Sequence, residues 1–120
     1  MKKIITSLFV VLALSAVAVS VADAGRQNGP GKDTTVCQAF GSVTYNVTFW
    51  GGEQARVAIV GDGATDLDVF VYDANGNLVA QGIGPNDIEL VTWFPNQTQT
   101  YRVVVRNLGS TWNQYSMATN

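Results

Sequence analysis

The sequence predicts a small all-β protein, an antiparallel sandwich of two sheets with about seven strands, of the jelly-roll or immunoglobulin-like kind. From Val43 onward, apolar residues alternate with polar ones at a period of two, which is typical of half-buried strands and not of helices. Clusters of Gly, Asn, Asp and Pro separate these runs at about ten-residue spacing, as in sandwiches. No segment beyond the N-terminal region has a helical period.

Each strand is predicted from its alternation and from the turns beside it. Asn75-Gly76 indicates a tight hairpin between the third and fourth strands, because both residues tolerate positive φ. Pro95-Asn96 provides a later turn. The predicted strands cover residues 43–49, 56–59, 67–72, 78–80, 88–93, 101–106 and 114–117.

The same alternation predicts which face of each strand is buried. The residues expected to face inward are Tyr45, Val47, Val57, Ile59, Leu67, Val69, Val71, Tyr101, Val103 and Val105. The residues expected to face outward are Thr44, Asn46, Arg56, Asp68, Arg102 and Arg106. Charges on the outer faces discourage exposed sheet from pairing with other chains.

The first 24 residues have the pattern of a secretory signal peptide. Two lysines precede an apolar run over residues 4–21, and the run ends in the small-residue pattern Ala22-Asp23-Ala24. The alternative is a retained membrane anchor, since about 18 apolar residues can just span a bilayer. We expect cleavage after Ala24 and therefore a secreted protein, extracellular or periplasmic, with no further membrane association.

Residues 25–33 contain no apolar side chain, so residues 25–36 are expected to form a flexible leader before a folded domain at 37–120. Beyond residue 24 the chain carries five Lys/Arg and eight Asp/Glu, with no basic cluster. This charge pattern argues against nucleic-acid binding. Cys37 is the only cysteine, which excludes an internal disulfide and leaves a bond to a second chain or a buried thiol.

The chain has few residues with which to catalyse a reaction. It contains no histidine, which removes Ser-His-Asp and Cys-His catalysis and every His-containing zinc site. Ser42, Ser110 and Ser116 do not stand in a Gly-x-Ser-x-Gly motif. Carboxylates remain, and a small carboxylate-based hydrolase is the alternative. We expect a protein that is not an enzyme.

Several segments carry a resemblance to a known family. The hairpin DLDVFVYDANGNLVA at 66–80 resembles the central hairpin of bacterial pre-peptidase C-terminal (PPC) domains. The segments ELVTW at 89–93, TYRVVV at 100–105 and NQYS at 113–116 are similar to later strands of that family. The resemblance covers about residues 45–118 and implies a β-sandwich that accompanies a secreted enzyme. Related collagen-binding domains of clostridial collagenases bind calcium and a fibrous substrate.

Acidic residues form the candidate metal site, with calcium as the candidate ion. Asp62, Asp66 and Asp68 lie in one turn-and-strand segment, and Asp87 is expected near them. Calcium takes six to eight hard oxygen ligands, which such a loop can supply, and the resemblance points to the same ion. The alternative is that these acids only cap turns and that Asp68 is a solvated outward residue.

Trp50 and Trp112 form the candidate ligand-binding set. Both are expected at strand ends or in loops, where rings often stack on sugars or on partner proteins. The alternative is that such rings only fill the sheet edges. The sequence therefore predicts a secreted, non-catalytic module that binds an extracellular protein or polysaccharide, or assists a separate secreted enzyme. A self-associating structural protein, linked through strand edges or Cys37, remains the alternative.

Overall fold

The computed structural model describes residues 25–120, so the predicted signal peptide at 1–24 lies outside the described residues. Within this range the protein has eight strands and no helix. The strands are β1 (Gly31–Cys37), β2 (Ser42–Phe49), β3 (Ala55–Val60), β4 (Leu67–Tyr72), β5 (Leu78–Gly82), β6 (Ile88–Trp93), β7 (Gln99–Asn107) and β8 (Asn113–Thr119). The described residues include no helix long and apolar enough to cross a membrane.

The strands form two four-stranded antiparallel sheets. Their orders are β1-β8-β3-β6 and β2-β7-β4-β5. Sheet neighbours are therefore distant in sequence: β1 pairs with β8, and β2 pairs with β7. Eight strands interleaved across two sheets in this order are a jelly roll. The predicted sandwich is thus confirmed, and the jelly roll is the kind that the structure adopts.

All seven predicted strands are present, and β1 is an additional one. The predicted flexible leader at 25–36 is wrong. Residues 31–36 pair along β8 in the register from Gly31↔Thr119 to Cys37↔Asn113. Before them, Arg26 bridges to Phe49 and donates its backbone N–H to the Asn120 carbonyl at 2.8 Å. β1 is an edge strand with mostly exposed side chains, so it lacks the apolar alternation that marks the other strands. Backbone hydrogen bonds hold it to the sheet, and Thr34 Oγ1 adds a bond of 2.9 Å to Ser116 Oγ.

The core lies between the sheets and consists mainly of β-branched and aromatic residues. Nine of the ten residues predicted to face inward are buried, and Tyr45 is partly buried against them. Asp68 is the exception among the predicted outward residues. It was expected to be solvated, but only 8% of it is exposed. The alternation predicts correctly that Asp68 lies on the same face of the sheet as its partner Arg106. It does not reveal that Asp66 and Glu89 lie against Asp68 on that side.

Cys37 is a buried thiol, with no exposed surface. Its Sγ donates to the Gly41 carbonyl at 3.4 Å, and burial raises the pKa of the thiol. Of the two alternatives for this residue, the geometry fits the buried thiol. A disulfide to a second chain would require local opening of the fold.

The predicted hairpin between β4 and β5 is also present. Gly76 has a φ of 85°, which an L side chain rarely adopts. Asp73 Oδ1 accepts hydrogen bonds from the Asn75 and Asn77 backbone N–H groups, each at 2.9 Å. These bonds fix the turn through a local side-chain cap.

We expect Ile59→Ala to lower the free energy of unfolding by about 2–5 kcal/mol, because Ile59 is fully buried between the sheets. Ile88→Ala is the matched control, since Ile88 lies on β6 and is 62% exposed. We expect the control to change stability by no more than about 0.5 kcal/mol. Urea unfolding measures both. Equal losses in the two variants would contradict the placement of the core.

Candidate functional site

The jelly-roll order gathers the loops at two opposite ends of the sandwich. The end that we call the Trp112 end consists of the loops at 38–41, 61–66, 83–87 and 108–112. The Trp50 end consists of the loops at 50–54, 73–77 and 94–98. An eight-residue strand is about 26 Å long, so the two tryptophans are about that far apart. Trp50 and Trp112 therefore do not form one site.

Asn113 ties two loops of the Trp112 end to the start of β8. Its side chain has no exposed surface, and its Nδ2 donates to the Thr65 carbonyl at 3.2 Å and to Asp87 Oδ2 at 3.0 Å. Its Oδ1 accepts from the Asp62 backbone N–H at 3.1 Å. A buried amide needs such partners, so the fold can bury Asn113 only with both loops in place.

The Asn107 side chain likewise connects the loop at 108–112 to the end of β1, which leads into the loop at 38–41. It is 1% exposed, and its Nδ2 donates to the Cys37 carbonyl at 3.1 Å and to the Thr111 carbonyl at 2.9 Å. Its Oδ1 accepts from the Gly109 N–H at 2.9 Å. A backbone bond of 3.0 Å from Phe40 N–H to the Gly109 carbonyl joins the two loops directly.

Three large apolar side chains project from these joined loops. Phe40 is 70% exposed, Leu108 is 44% exposed and Trp112 is 52% exposed. We call these three residues the apolar tip. Phe40 also has a φ of 54°, the only positive φ of a non-glycine residue in the described range. A bulky residue in this conformation is strained, and the surrounding hydrogen bonds hold it there.

Asp62 and Asp87, two of the four predicted metal ligands, already accept backbone hydrogen bonds in the loops. Asp62 Oδ2 accepts from the Gln114 N–H at 3.0 Å and its Oδ1 from the Ala64 N–H at 2.9 Å. These bonds lower the pKa of the Asp62 carboxyl. Asp87 Oδ2 accepts from the Gly63 N–H at 2.7 Å, in addition to Asn113. Both acids match the alternative in which they fix turns.

Gly61 shows how tightly these groups pack. A Cβ at this position would overlap the Asp87 carboxylate and the Asn113 amide. Only glycine lets the backbone approach the buried pair this closely.

The other two predicted ligands, Asp66 and Asp68, come together with an acid that the sequence did not point to. Their carboxylate oxygens and one from Glu89 all lie within 4.8 Å of one another. Asp66 lies just before β4, Asp68 is the second residue of β4, and Glu89 lies on β6 in the opposite sheet. Glu89 pairs with Ile59 in the register, so its position faces inward. We call these three residues the acidic cluster.

The electrostatics of the acidic cluster are unfavourable as it stands. Asp66 Oδ1, Asp68 Oδ1 and Glu89 Oε2 are buried and have no hydrogen-bond partner within residues 25–120. Burial raises the pKa of Asp68, and the Asp66 charge raises it further, although Arg106 opposes both. Burial also raises the pKa of Glu89, against the effect of a hydrogen bond from the Gly84 backbone. The Arg106 charge and the Gly84 N–H do not offset the burial of these carboxylates, since the pKa values of Asp68 and Glu89 remain raised.

Comparisons with known proteins find similar folds but no family to which the sequence belongs. No known protein-family profile matches the sequence, and no curated protein matches it. The solved structure of PliG from Aeromonas hydrophila, a periplasmic lysozyme inhibitor of g-type lysozyme, aligns with a TM-score of 0.59 and 11% identity, over 85% of this chain and 91% of that one. The Yersinia pseudotuberculosis-derived mitogen aligns with a TM-score of 0.50 and 17% identity, over 76% and 84%. At these identities the likeness is one of fold.

We expect Asp68→Asn to stabilise the protein in chelator by an amount that grows as pH rises above about pH 4, the ordinary pKa of an aspartate in an unfolded chain. The pKa of Asp68 is higher in the folded than in the unfolded protein, so the folded state binds more protons and its stability falls as pH rises. The neutral amide removes this loss. Thermal melts of both proteins across the pH range measure the difference.

Asp73→Asn is the control, since hydrogen bonds lower the pKa of Asp73 and its contribution has the opposite sign. Asp73→Asn should be less stable than the wild-type protein at neutral pH, and this difference in stability should shrink as pH falls. A stability difference for Asp68→Asn that stays constant with pH would contradict the buried, crowded state of this carboxylate.

Proposed function

We propose that this protein is a secreted, non-catalytic jelly-roll module that binds a protein outside the cytoplasm through its Trp112 end. The observation that carries this proposal is the apolar tip, three large side chains held in solvent on loops whose backbones are fixed from beneath. Phe40 and Trp112 each expose more than half of their surface. Large apolar side chains exposed on neighbouring loops are typical of an interaction site.

The rigidity of the loops supports binding more than exposure alone does. The Asn107 side chain makes two hydrogen bonds to the loop at 108–112 and one to Cys37 at the end of β1, and the Phe40 N–H bonds to the Gly109 carbonyl. The tip residues therefore have little backbone freedom to lose. Preorganised surfaces bind more tightly because less entropy is lost on association. Aromatic residues are enriched in the energetically important centres of protein interfaces. Polar neighbours such as Gln38 and Thr111, both exposed, would form the rim.

The comparisons provide a first partner to test. PliG, which has a similar fold, is described as an inhibitor of g-type lysozyme. A g-type lysozyme is therefore the protein probe, and a peptidoglycan preparation is the polysaccharide probe. The absence of histidine and of a nucleophile motif in the sequence supports binding without catalysis.

We expect Trp112→Ala to weaken binding to the lysozyme by about 2 kcal/mol or more, a loss of at least about thirtyfold in affinity, because it removes an aromatic anchor. Biolayer interferometry with immobilised lysozyme measures the affinity. Trp50→Ala is the matched control, since Trp50 is 40% exposed at the opposite end and its loss should leave the affinity unchanged.

Binding that is equally sensitive to both substitutions would contradict the assignment of the surface. Binding to peptidoglycan and not to the lysozyme would replace the protein partner with a polysaccharide. If the protein binds neither probe, lysozyme is not its partner, and the likeness to PliG no longer supports the proposal.

A second candidate function, self-association, is favoured by one other surface. The outer face of β3 and β6 exposes Val60 by 47%, Ile88 by 62% and Leu90 by 65%, and Val60 pairs with Ile88 in the register. If this face joins two copies, sedimentation equilibrium should show a dimer that Leu90→Lys converts to a monomer. A monomer at all concentrations would exclude this candidate.

A further inference from the structure

The acidic cluster brings three carboxylates together at a cost to the stability of the protein on its own. Three carboxylates from two sheets converge, and an oxygen of each is buried without a hydrogen-bond partner in the part of the chain that the structure describes. Buried polar groups without partners are rare in folded proteins, and buried charges are normally paired or bound to a metal. Asp62 and Asp87 show the contrast, because the same loops supply their oxygens with N–H donors.

We propose that Asp66, Asp68 and Glu89 form a calcium-binding site at the Trp112 end. Asp68 carries the proposal furthest: only 8% of it is exposed, its Oδ1 is buried without a hydrogen-bond partner among the described residues, and one of its carboxylate oxygens belongs to the convergent set. A divalent cation would balance most of the charge of three ionised carboxylates and would give each free oxygen a partner.

The spacing of the oxygens fits calcium. Oxygen ligands lie about 2.3–2.6 Å from a calcium ion, so opposite ligands are about 4.6–5.2 Å apart. The three carboxylate oxygens lie within 4.8 Å of one another, so small side-chain adjustments let one ion contact all three. Magnesium demands near-ideal octahedral geometry, keeps several waters and usually binds one or two carboxylates, so a site with three carboxylates suits calcium better.

The remaining ligand positions are open to water. Asp66 and Glu89 are each partly exposed, so the cluster reaches the surface, and calcium takes six to eight oxygens in flexible geometry. Arg106, opposite Asp68 in the register, is a positive charge that weakens the site and does not replace the ion. The site thus has three protein ligands and moderate affinity.

Calcium would also connect the two sheets. Asp66 and Asp68 belong to the β4 segment and Glu89 to β6, which lies in the other sheet. A backbone bond from Leu67 N–H to the Asn86 carbonyl, at 3.4 Å, is among the contacts that join these segments in the absence of the ion. The folded state alone assembles all three carboxylates, so calcium should stabilise the fold by mass action.

The test is a thermal melt of the purified protein in chelator and then in millimolar calcium chloride, with isothermal titration of the same sample. We expect calcium to raise the melting temperature by at least about 5 °C and magnesium to raise it by less. Asp68→Asn and Glu89→Gln should each weaken calcium binding by at least about tenfold.

Two measurements separate loss of the site from loss of the fold. In chelator, Asp68→Asn should melt at or above the wild-type temperature, because it removes a repelled charge, while its calcium response is lost. Asp62→Asn is the matched control at the same end, and it should keep the wild-type calcium affinity because Asp62 already bonds to the backbone.

Identical melts of the wild-type protein in calcium and in chelator, with no heat on titration, would overturn the proposal. An unchanged calcium affinity in both Asp68→Asn and Glu89→Gln would overturn it as well. The proposal is independent of the partner, since Trp112→Ala should lose lysozyme binding and keep the calcium response.

Discussion

Burial of the Asn113 side chain between the sheets obliges the loops around it to provide its hydrogen bonds. The Thr65 carbonyl and the Asp87 carboxylate accept from its amide, and the Asp62 N–H donates to it. If either loop moved away, polar groups would be left buried without partners, at a cost of about 1–3 kcal/mol each. Asn107 places the same constraint on the other two loops of this end. The two asparagines thus fix the backbone that carries both the apolar tip and the acidic cluster.

The two ends of the sandwich consequently have different properties. At the Trp50 end, Trp93 packs edge-on against Phe49, with ring centroids 4.9 Å apart, and against Tyr101 at 5.3 Å. These three rings belong to the packing of the core. At the Trp112 end, three large apolar side chains remain in solvent, and three converging carboxylates each have a buried oxygen without a partner among the described residues. The Trp50 end also exposes Trp50 and Phe94 and buries Glu53 Oε1 without such a partner, but its acids do not converge with others in the described range. The features of the Trp112 end oppose the stability of an isolated protein, and they would become favourable if a partner covered the tip and a cation entered the cluster.

The sequence was a good guide wherever a strand is half buried. β4 and β6 begin and end at the predicted residues, because Leu67, Val69 and Val71 alternate cleanly and turn residues bound both strands. β1 could not be predicted, since backbone pairing with β8 holds it and its side chains bury little. The candidate site was only half visible for a related reason. Asp66 and Asp68 are close in sequence, whereas Glu89 reaches them only because β6 packs across from β4. The one local sign of this in the sequence is that Glu89 stands between two apolar residues, Ile88 and Leu90, which are exposed.

The central claim is that one end of the jelly roll, organised by Asn107 and Asn113, is where this protein meets its ligands. Two-dimensional amide NMR spectra of the ¹⁵N-labelled protein test it most directly, recorded in chelator, then with calcium, then with a g-type lysozyme. We expect calcium to shift amide signals from residues 61–68 and 83–89, and the lysozyme to shift or broaden those from 38–41 and 107–113. Changes centred on residues 50–54, 73–77 and 94–98 would contradict the claim, because they would place the binding surface at the opposite end.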